Sequence, residues 1–229
     1  MHLIIGNKLY SSWSLRPWIL MKAKGIAFTE TVVPLHQPDT KKNILEHSPT
    51  GKVPLLIDDG VRVWESLAIM EYLAEIAPKA GIWPTDKTAR AHARAASSEM
   101  HAGFQALRQA CPMNLARRFK PRAEWNADVI ANVERLEELW SEARGKFGRG
   151  GKFLYGDFTA ADAMYAPVVT RLDTYQLPVS KATRSYMDAV LAHPAFLAWR
   201  GAALKETWFL PHYETGHEIE QSFISPLSA

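Results

Sequence analysis

The 229-residue sequence predicts an α/β domain followed by an all-helical one. Three observations carry that reading. The short apolar runs suited to strands all lie before residue 65. The stretch Ala77 to Lys87 holds Pro78, Gly81 and Pro84, which is linker punctuation. Beyond it come long segments with apolar residues at helical spacing and no β-rich stretch. The two domains are therefore placed at residues 1–78 and 86–229.

The elements follow in order. Leu3 to Ile5 reads as a buried strand and Asn7 to Ser14 as a polar loop. A helix runs from Ser14 to Lys24 and stops at Gly25, with Pro17 in its first turn. Phe28 to Val33 is a second strand, and Lys41 to His47 a short helix. Leu55–Ile57 and Val61–Trp64 flank Asp58-Asp59-Gly60, a tight-turn signal for a hairpin. A helix starts at Ser66, with Ile69, Leu73 and Ile76 spaced to face the core. After the linker, Thr88 to Arg108 is Ala-rich and free of Pro, and reads as one helix. Trp125 to Phe147 is another, with Val129, Val133, Leu136 and Trp140 on one stripe. Further helices open at Thr159, Tyr186 and Ala195.

Composition narrows the function classes. The net charge is +3, from 27 basic and 24 acidic side chains, with no Lys/Arg block, so no nucleic-acid partner is expected. No apolar run reaches about 18 residues, so no membrane span is expected. The N-terminal apolar run is too short for a secretion signal. Cys111 is the one cysteine, which permits a reducing compartment, and the protein is expected to be soluble and cytoplasmic. There is no HExxH or Cys/His cluster, so no metal is expected.

Three short signatures carry chemistry. Tyr10-Ser11-Ser12-Trp13-Ser14 stands between a strand and a helix, where a helix N-terminus favours an anion such as a thiolate. A free thiol has a pKa of about 8.5, and a serine hydroxyl donating to its sulfur would lower it. The same serines also suit plain helix capping. Val53-Pro54 opens a strand, which suits a cis bond and leaves the Val53 backbone to pair with an extended peptide ligand; an ordinary trans proline at a sheet edge is the other reading. Glu65-Ser66 sets a carboxylate beside a helix N-cap. That pair can hold the ammonium and carboxylate of an α-amino acid, or simply start a helix. Taken together, the three describe a ligand with a thiol, a peptide backbone and a free amino-acid end. Glutathione has all three.

These motifs, with Glu71-Tyr72-Leu73 and the later Gly156-Asp157-Phe158-Thr159-Ala160-Ala161-Asp162, resemble the cytosolic glutathione S-transferase family over nearly the whole chain. The first motif is most similar to the zeta class, a serine-type group with a Ser-Ser-Cys-Ser run before an arginine. The resemblance implies a thioredoxin-like N-terminal domain, an all-helical C-terminal domain, glutathione as co-substrate, a small electrophile as second substrate, and a homodimer. It implies that Ser11, with Ser12 as runner-up, activates the thiol. Trp13 lies in the same site. Val53 pairs with the cysteinyl backbone, Glu65 and Ser66 hold the γ-glutamyl end, and Lys52 or His36 meets the glycyl carboxylate. Thr159 and Asp162 form a capping box with a structural role. Trp13 replaces the zeta-class cysteine, which sets maleylacetoacetate isomerase activity against a more general transferase. A non-catalytic binding protein of the same fold is the remaining alternative, and adjacent Tyr10 keeps a tyrosine-type mechanism open. The second-substrate pocket is expected between the domains, lined by Phe104, Gln105 and Arg108. His101, Met113-Asn114, Trp18 and Trp208 are further candidates. Arg108 either binds a substrate carboxylate or makes a salt bridge.

Overall fold

The computed structural model describes residues 1–214 and 216–224, so the end of the tail, residues 225–229, lies outside the described residues. Strand β1 (His2–Gly6) is followed by helix α1 (Ser12–Ala23), strand β2 (Thr29–Val33) and helix α2 (Thr40–Leu45). The hairpin β3 (Leu55–Asp58) and β4 (Val61–Trp64) then leads into helix α3 (Ser66–Ile76). The sheet order is β2-β1-β3-β4, with β1 parallel to β2 and antiparallel to β3. This is the mixed sheet of a thioredoxin-like domain. The turn at Asp59-Gly60 has φ of 43° and 88°, the positive pair that a two-residue hairpin requires.

The second domain holds α4 (Lys87–Ala102), α5 (Gln105–Ala110), α6 (Ala127–Phe147), α7 (Ala160–Thr174), α8 (Lys181–Leu191) and α9 (Pro194–Ala203). The Thr159–Asp162 capping box is formed, and Asp162 also accepts from the Leu154 N–H at 3.0 Å. Burial pushes this carboxyl up to about 6 despite those donors. Helix α1 packs against α3 on its own side and against α7 and α9 across the domain boundary. Residues such as Leu3, Ile5 and Trp18 therefore share one core with Trp140, Tyr165 and Trp199. The opposite face of β1 carries Ile4 into a smaller cluster with Val33, Ile44 and Leu55.

Several expectations are corrected. Helix α1 begins at Ser12, not Ser14, so Pro17 falls in its second turn. The serine hydroxyls here bond each other rather than the helix N–H groups, so capping chemistry did not mark the start. The expected helix Thr88–Arg108 is two. Gly103 ends α4 with its N–H on the Glu99 carbonyl, and a Cβ at Gly103 would lie 2.8 Å from that oxygen. Phe104 then takes φ 58°, which redirects the chain into α5. Ser66 is the first helical residue rather than the cap; Glu65 holds the cap position at φ 69°. Ile76 is 40% exposed, because the apolar stripe covered at Ile69 and Leu73 runs out at the helix end. Last, the second domain does contain a small sheet. Strand β5 (Arg117–Phe119) pairs antiparallel with β6 (Ile219–Ser222). Both strands are short and mostly polar, so no alternation announced them.

Candidate active site

The loop after β1 is held from both domains. The Asn7 side-chain oxygen accepts from the Leu35 N–H at 2.7 Å, and its carbonyl accepts from the Ser11 N–H at 2.8 Å. From beyond α9, Glu206 accepts from the N–H groups of Lys8 and Leu9 at 2.7 and 3.0 Å. The Trp199 indole donates to the Lys8 carbonyl at 3.0 Å. This fixes where α1 starts.

At that start, Ser11 Oγ donates to Ser14 Oγ at 2.7 Å, and Ser14 Oγ accepts from the Gly6 N–H at 3.0 Å. Arg171, reaching from α7, donates to Ser12 Oγ at 3.4 Å. Both serines line an interdomain cavity of about 730 Å³, shared with Tyr10, His36, Gln105, Arg108 and Tyr213. A second cavity of about 270 Å³ holds Glu65 and His101. Trp13, Lys52, Val53 and Arg108 line both, so the two are neighbouring parts of one cleft. The Val53–Pro54 bond is cis, and β3 begins only at Leu55. Ser66 is fully buried at the head of α3, its hydroxyl toward Met164 Sδ at 4.0 Å. Glu65 Oε2 is 3.8 Å from His101 Nε2.

The charge of the cleft is strongly positive. Trp13 lies between two guanidinium groups, Arg16 at 4.0 Å and Arg108 at 4.8 Å from its ring centre, with the His101 ring edge-on at 5.1 Å. Arg16 and Arg171 are 1% and 6% exposed, and Arg16 Nη1 and Arg171 Nε have no hydrogen-bond partner among the described residues. None of the ion pairs among the described residues includes Arg16, Arg108 or Arg171. Burial pulls all three below the usual arginine value, Arg171 to about 10, and neighbouring guanidinium groups add to this for Arg16 and Arg171. Arg171, at about 10, stays cationic at neutral pH, as guanidinium groups in proteins do. Buried cations without carboxylates are costly, which suits a site that receives an anion.

The sequence candidates are therefore partly gathered. Ser11, Ser12, Trp13, Lys52, Val53, Gln105 and Arg108 line the cleft, and Glu65 joins them at its smaller end. His101 stands beside Glu65 rather than in the large cavity. Phe104, Met113 and Asn114 are buried and absent from either wall, as is Trp18, which packs on Trp199 and Phe28. Trp208 lines neither cavity. Tyr10 lines the large one, but its hydroxyl donates to Glu214 at 3.5 Å; burial and that carboxylate push it up to about 12. Arg171 and Tyr213 are among the lining residues that the sequence reading missed. Arg171 interrupts the run Met164–Leu172, a signal that was available. Tyr213 carries no local signal. Among the described residues no group of three or more His, Cys, Asp or Glu is placed to hold a metal, and no helix is long and apolar enough to cross a membrane.

Comparison with known proteins agrees with this geometry. Residues 10–76 match the glutathione S-transferase N-terminal domain and residues 120–202 the glutathione S-transferase C-terminal domain. A probable maleylacetoacetate isomerase of Caenorhabditis elegans is 32% identical over 83% of this chain and 91% of its own. The maleylacetoacetate isomerase of Mus musculus is 28% identical over 77% and 81%. A bacterial zeta-class maleyl pyruvate isomerase shares the fold at a TM-score of 0.69 and 21% identity, covering 91% of this chain and 100% of that one. A Burkholderia glutathione transferase homologue with bound glutathione does so at a TM-score of 0.66 and 24% identity, covering 88% and 96%. With both domains of one family matched in order, and a relative above 30% identity along most of its length, the chain belongs to the glutathione S-transferase family.

Proposed function

We propose that the protein binds glutathione along the cleft and uses its thiolate against a small electrophile that carries a carboxylate. The observation that carries this is the junction of Ser11 and Ser12 with Arg108 and Arg171, which line the same cavity and join no ion pair among the described residues. Val53 offers backbone pairing for the cysteinyl residue, Glu65 and Ser66 receive the γ-glutamyl head, and Lys52 is the cation for the glycyl end. That places the sulfur near the head of α1. There the serine hydroxyls donate to it, and the helix dipole and the arginines favour its ionised form. Arg171 directs an N–H at Ser12 Oγ, which leaves the Ser12 proton to point elsewhere. Ser11 must turn from Ser14 to do the same. Tyr10, high in pKa and engaged with Glu214, is a poor thiol activator.

The isomerase reading gains from the same arginines. Thiolate addition to a conjugated cis double bond, rotation and elimination returns the trans acid and regenerates glutathione. Anchored carboxylates would hold the carbon skeleton in place through the rotation. The names of the Caenorhabditis and Mus relatives favour it. Trp13 in place of a cysteine removes a second thiol, but its ring holds Arg108 over the cavity. A homodimer and a cytoplasmic location complete the reading. Val61, Trp64 and Ile76, exposed on edge strand β4 and α3, support the dimer, and sedimentation at the mass of one chain would refute it.

The test is an ultraviolet titration of the thiol of bound glutathione. The wild type is expected to hold it clearly below the free value, with partial loss in Ser11→Ala and in Ser12→Ala and the largest loss in the double variant, which keeps only the contribution of the helix dipole and the arginines. An undiminished shift in the double variant would remove the serine mechanism. Binding without any shift would leave a ligand-binding relative.

A further inference from the structure

The strap formed by the C-terminal segment closes one side of the large cavity, and no motif accounts for it. After α9 the chain turns back so that β6 pairs with β5. On the way it lays Tyr213 on the cavity wall. The Tyr213 ring packs on Tyr10 at 5.1 Å and tilts toward His36 at 6.3 Å, so it bridges the two domains. The next residue anchors it. The Glu214 carboxylate accepts from Asn114 Nδ2 at 2.7 Å and Arg117 Nε at 2.8 Å, with the Tyr10 hydroxyl at 3.5 Å. Glu214 and Arg117 are each only 12% exposed at the side chain, so this clamp is far less screened than the outer pairs Arg118–Glu220 and Lys120–Glu218.

We propose that Tyr213 is a specificity-determining wall of the second-substrate pocket, held there by Glu214 as a positioning residue. This rests on the reading that the cleft binds glutathione with its sulfur at the head of α1. The physical case is placement. Ser12, Val53, Arg171 and Tyr213 all line one cavity, so a group attached to the glutathione sulfur enters the space that Tyr213 bounds. Such a group gains apolar contact with the ring, whereas unmodified glutathione, pinned at Val53 and Glu65, gains little. The residue therefore acts on what the sulfur carries, not on the peptide.

The experiment is calorimetric binding of glutathione and of S-hexylglutathione to the full chain. The wild type is expected to prefer the S-hexyl ligand. Tyr213→Ala is expected to cut that preference about tenfold while glutathione affinity holds, and Tyr213→Phe to keep it. Glu214→Gln is expected to move the preference in the same direction by about threefold, because the ring stays but its anchor loosens. An unchanged preference in Tyr213→Ala, with glutathione still bound, would overturn this inference alone. Equal losses for both ligands would also overturn it, since that marks a structural role. Binding of neither ligand to the wild type would overturn the glutathione reading and this one together.

Discussion

The two ends of the cleft are built in different ways. The smaller end, with Val53, Trp64 and Glu65, comes mostly from the first domain, within a stretch of chain that folds locally around the β3–β4 hairpin, while the nearby Ser66 is fully buried and lines neither cavity. The larger end is assembled from afar: Arg108 from α5, Arg171 from α7 and Tyr213 from the strap meet at serines from the head of α1. The first is a fixed backbone template for a peptide. The second is a set of long side chains on separate elements, free to differ in charge and shape without disturbing the template. That division predicts that substitutions at one end should leave the affinity of the other nearly untouched.

The sharpest break of that comparison is expected at Arg171. Replacing a buried cation with the similarly shaped methionine removes its charge-assisted hydrogen bonds to substrate while relieving desolvation cost. Arg171→Met is expected to raise KM for a carboxylate-bearing electrophile about a hundredfold, and to change KM for a neutral one or for glutathione little. Steady-state kinetics with acrylate-type and uncharged enone substrates checks this. Equal losses for both would show that Arg171 acts through Ser12 and the sulfur instead.

The same division explains what could be read in advance. The smaller end could be located in advance because its residues sit at fixed places relative to local structure: a proline opening a strand, a serine at a helix start, a carboxylate beside it. Even there, whether Glu65 or Ser66 held the cap position depended on a positive φ at Glu65 that residue type does not announce. The other end was legible at the head of α1, through its serine motif, and at α5, through the spacing of Gln105 and Arg108. Phe104, one residue before the cavity-lining Gln105 and four before Arg108 but at φ 58°, turns into the core. Arg171 and Tyr213 reach the cleft through tertiary packing of α7 and through strands paired far apart in sequence; Arg171 breaks an otherwise mostly apolar run without local sign of what it faces, and no local pattern records Tyr213.

A smaller effect is expected at the glutathione end. Glu65→Gln keeps the shape but removes the charge facing the γ-glutamyl ammonium, which weakens a charge-assisted pair to a neutral one. KM for glutathione is expected to rise about tenfold, with kcat and the discrimination between charged and neutral electrophiles unchanged. A change in that discrimination would mean that Glu65 screens the arginines across the shared wall. Smaller still is the effect expected of Trp13→Leu, which takes the ring from between Arg16 and Arg108. A cation–π contact at a partly exposed ring is worth about 0.5–1 kcal/mol, so KM for a carboxylate electrophile should rise about twofold to fivefold. Because Trp13 lies on the wall common to both cavities, it alone among these variants is expected to affect glutathione as well.

The smallest effect separates the ends by pH. His101 stands at the glutathione end and His36 in the larger cavity, and burial holds both below the usual 6.5. For His101, Glu65 pulls the other way while Arg16 and Arg108 add to the lowering; for His36 the added contribution is His212, another potential cation. In the unfolded chain these rings take up protons near 6.5, whereas in the folded chain they do so only at lower pH. The folded state is therefore favoured above 6.5 and loses that advantage as pH falls through 6.5 toward the folded values. Asp162, raised to about 6, opposes the trend at lower pH, since the folded state then binds its proton first. Thermal unfolding should thus show a midpoint that drops between pH 7 and 6, and His36→Gln and His101→Gln should each flatten the drop. With glutathione bound, the His101 contribution is expected to change, because the ligand's ammonium then competes for Glu65, and the His36 contribution is expected to stay. If both move together on binding, the two ends of the cleft are electrostatically one site, and the division into template and variable wall is lost.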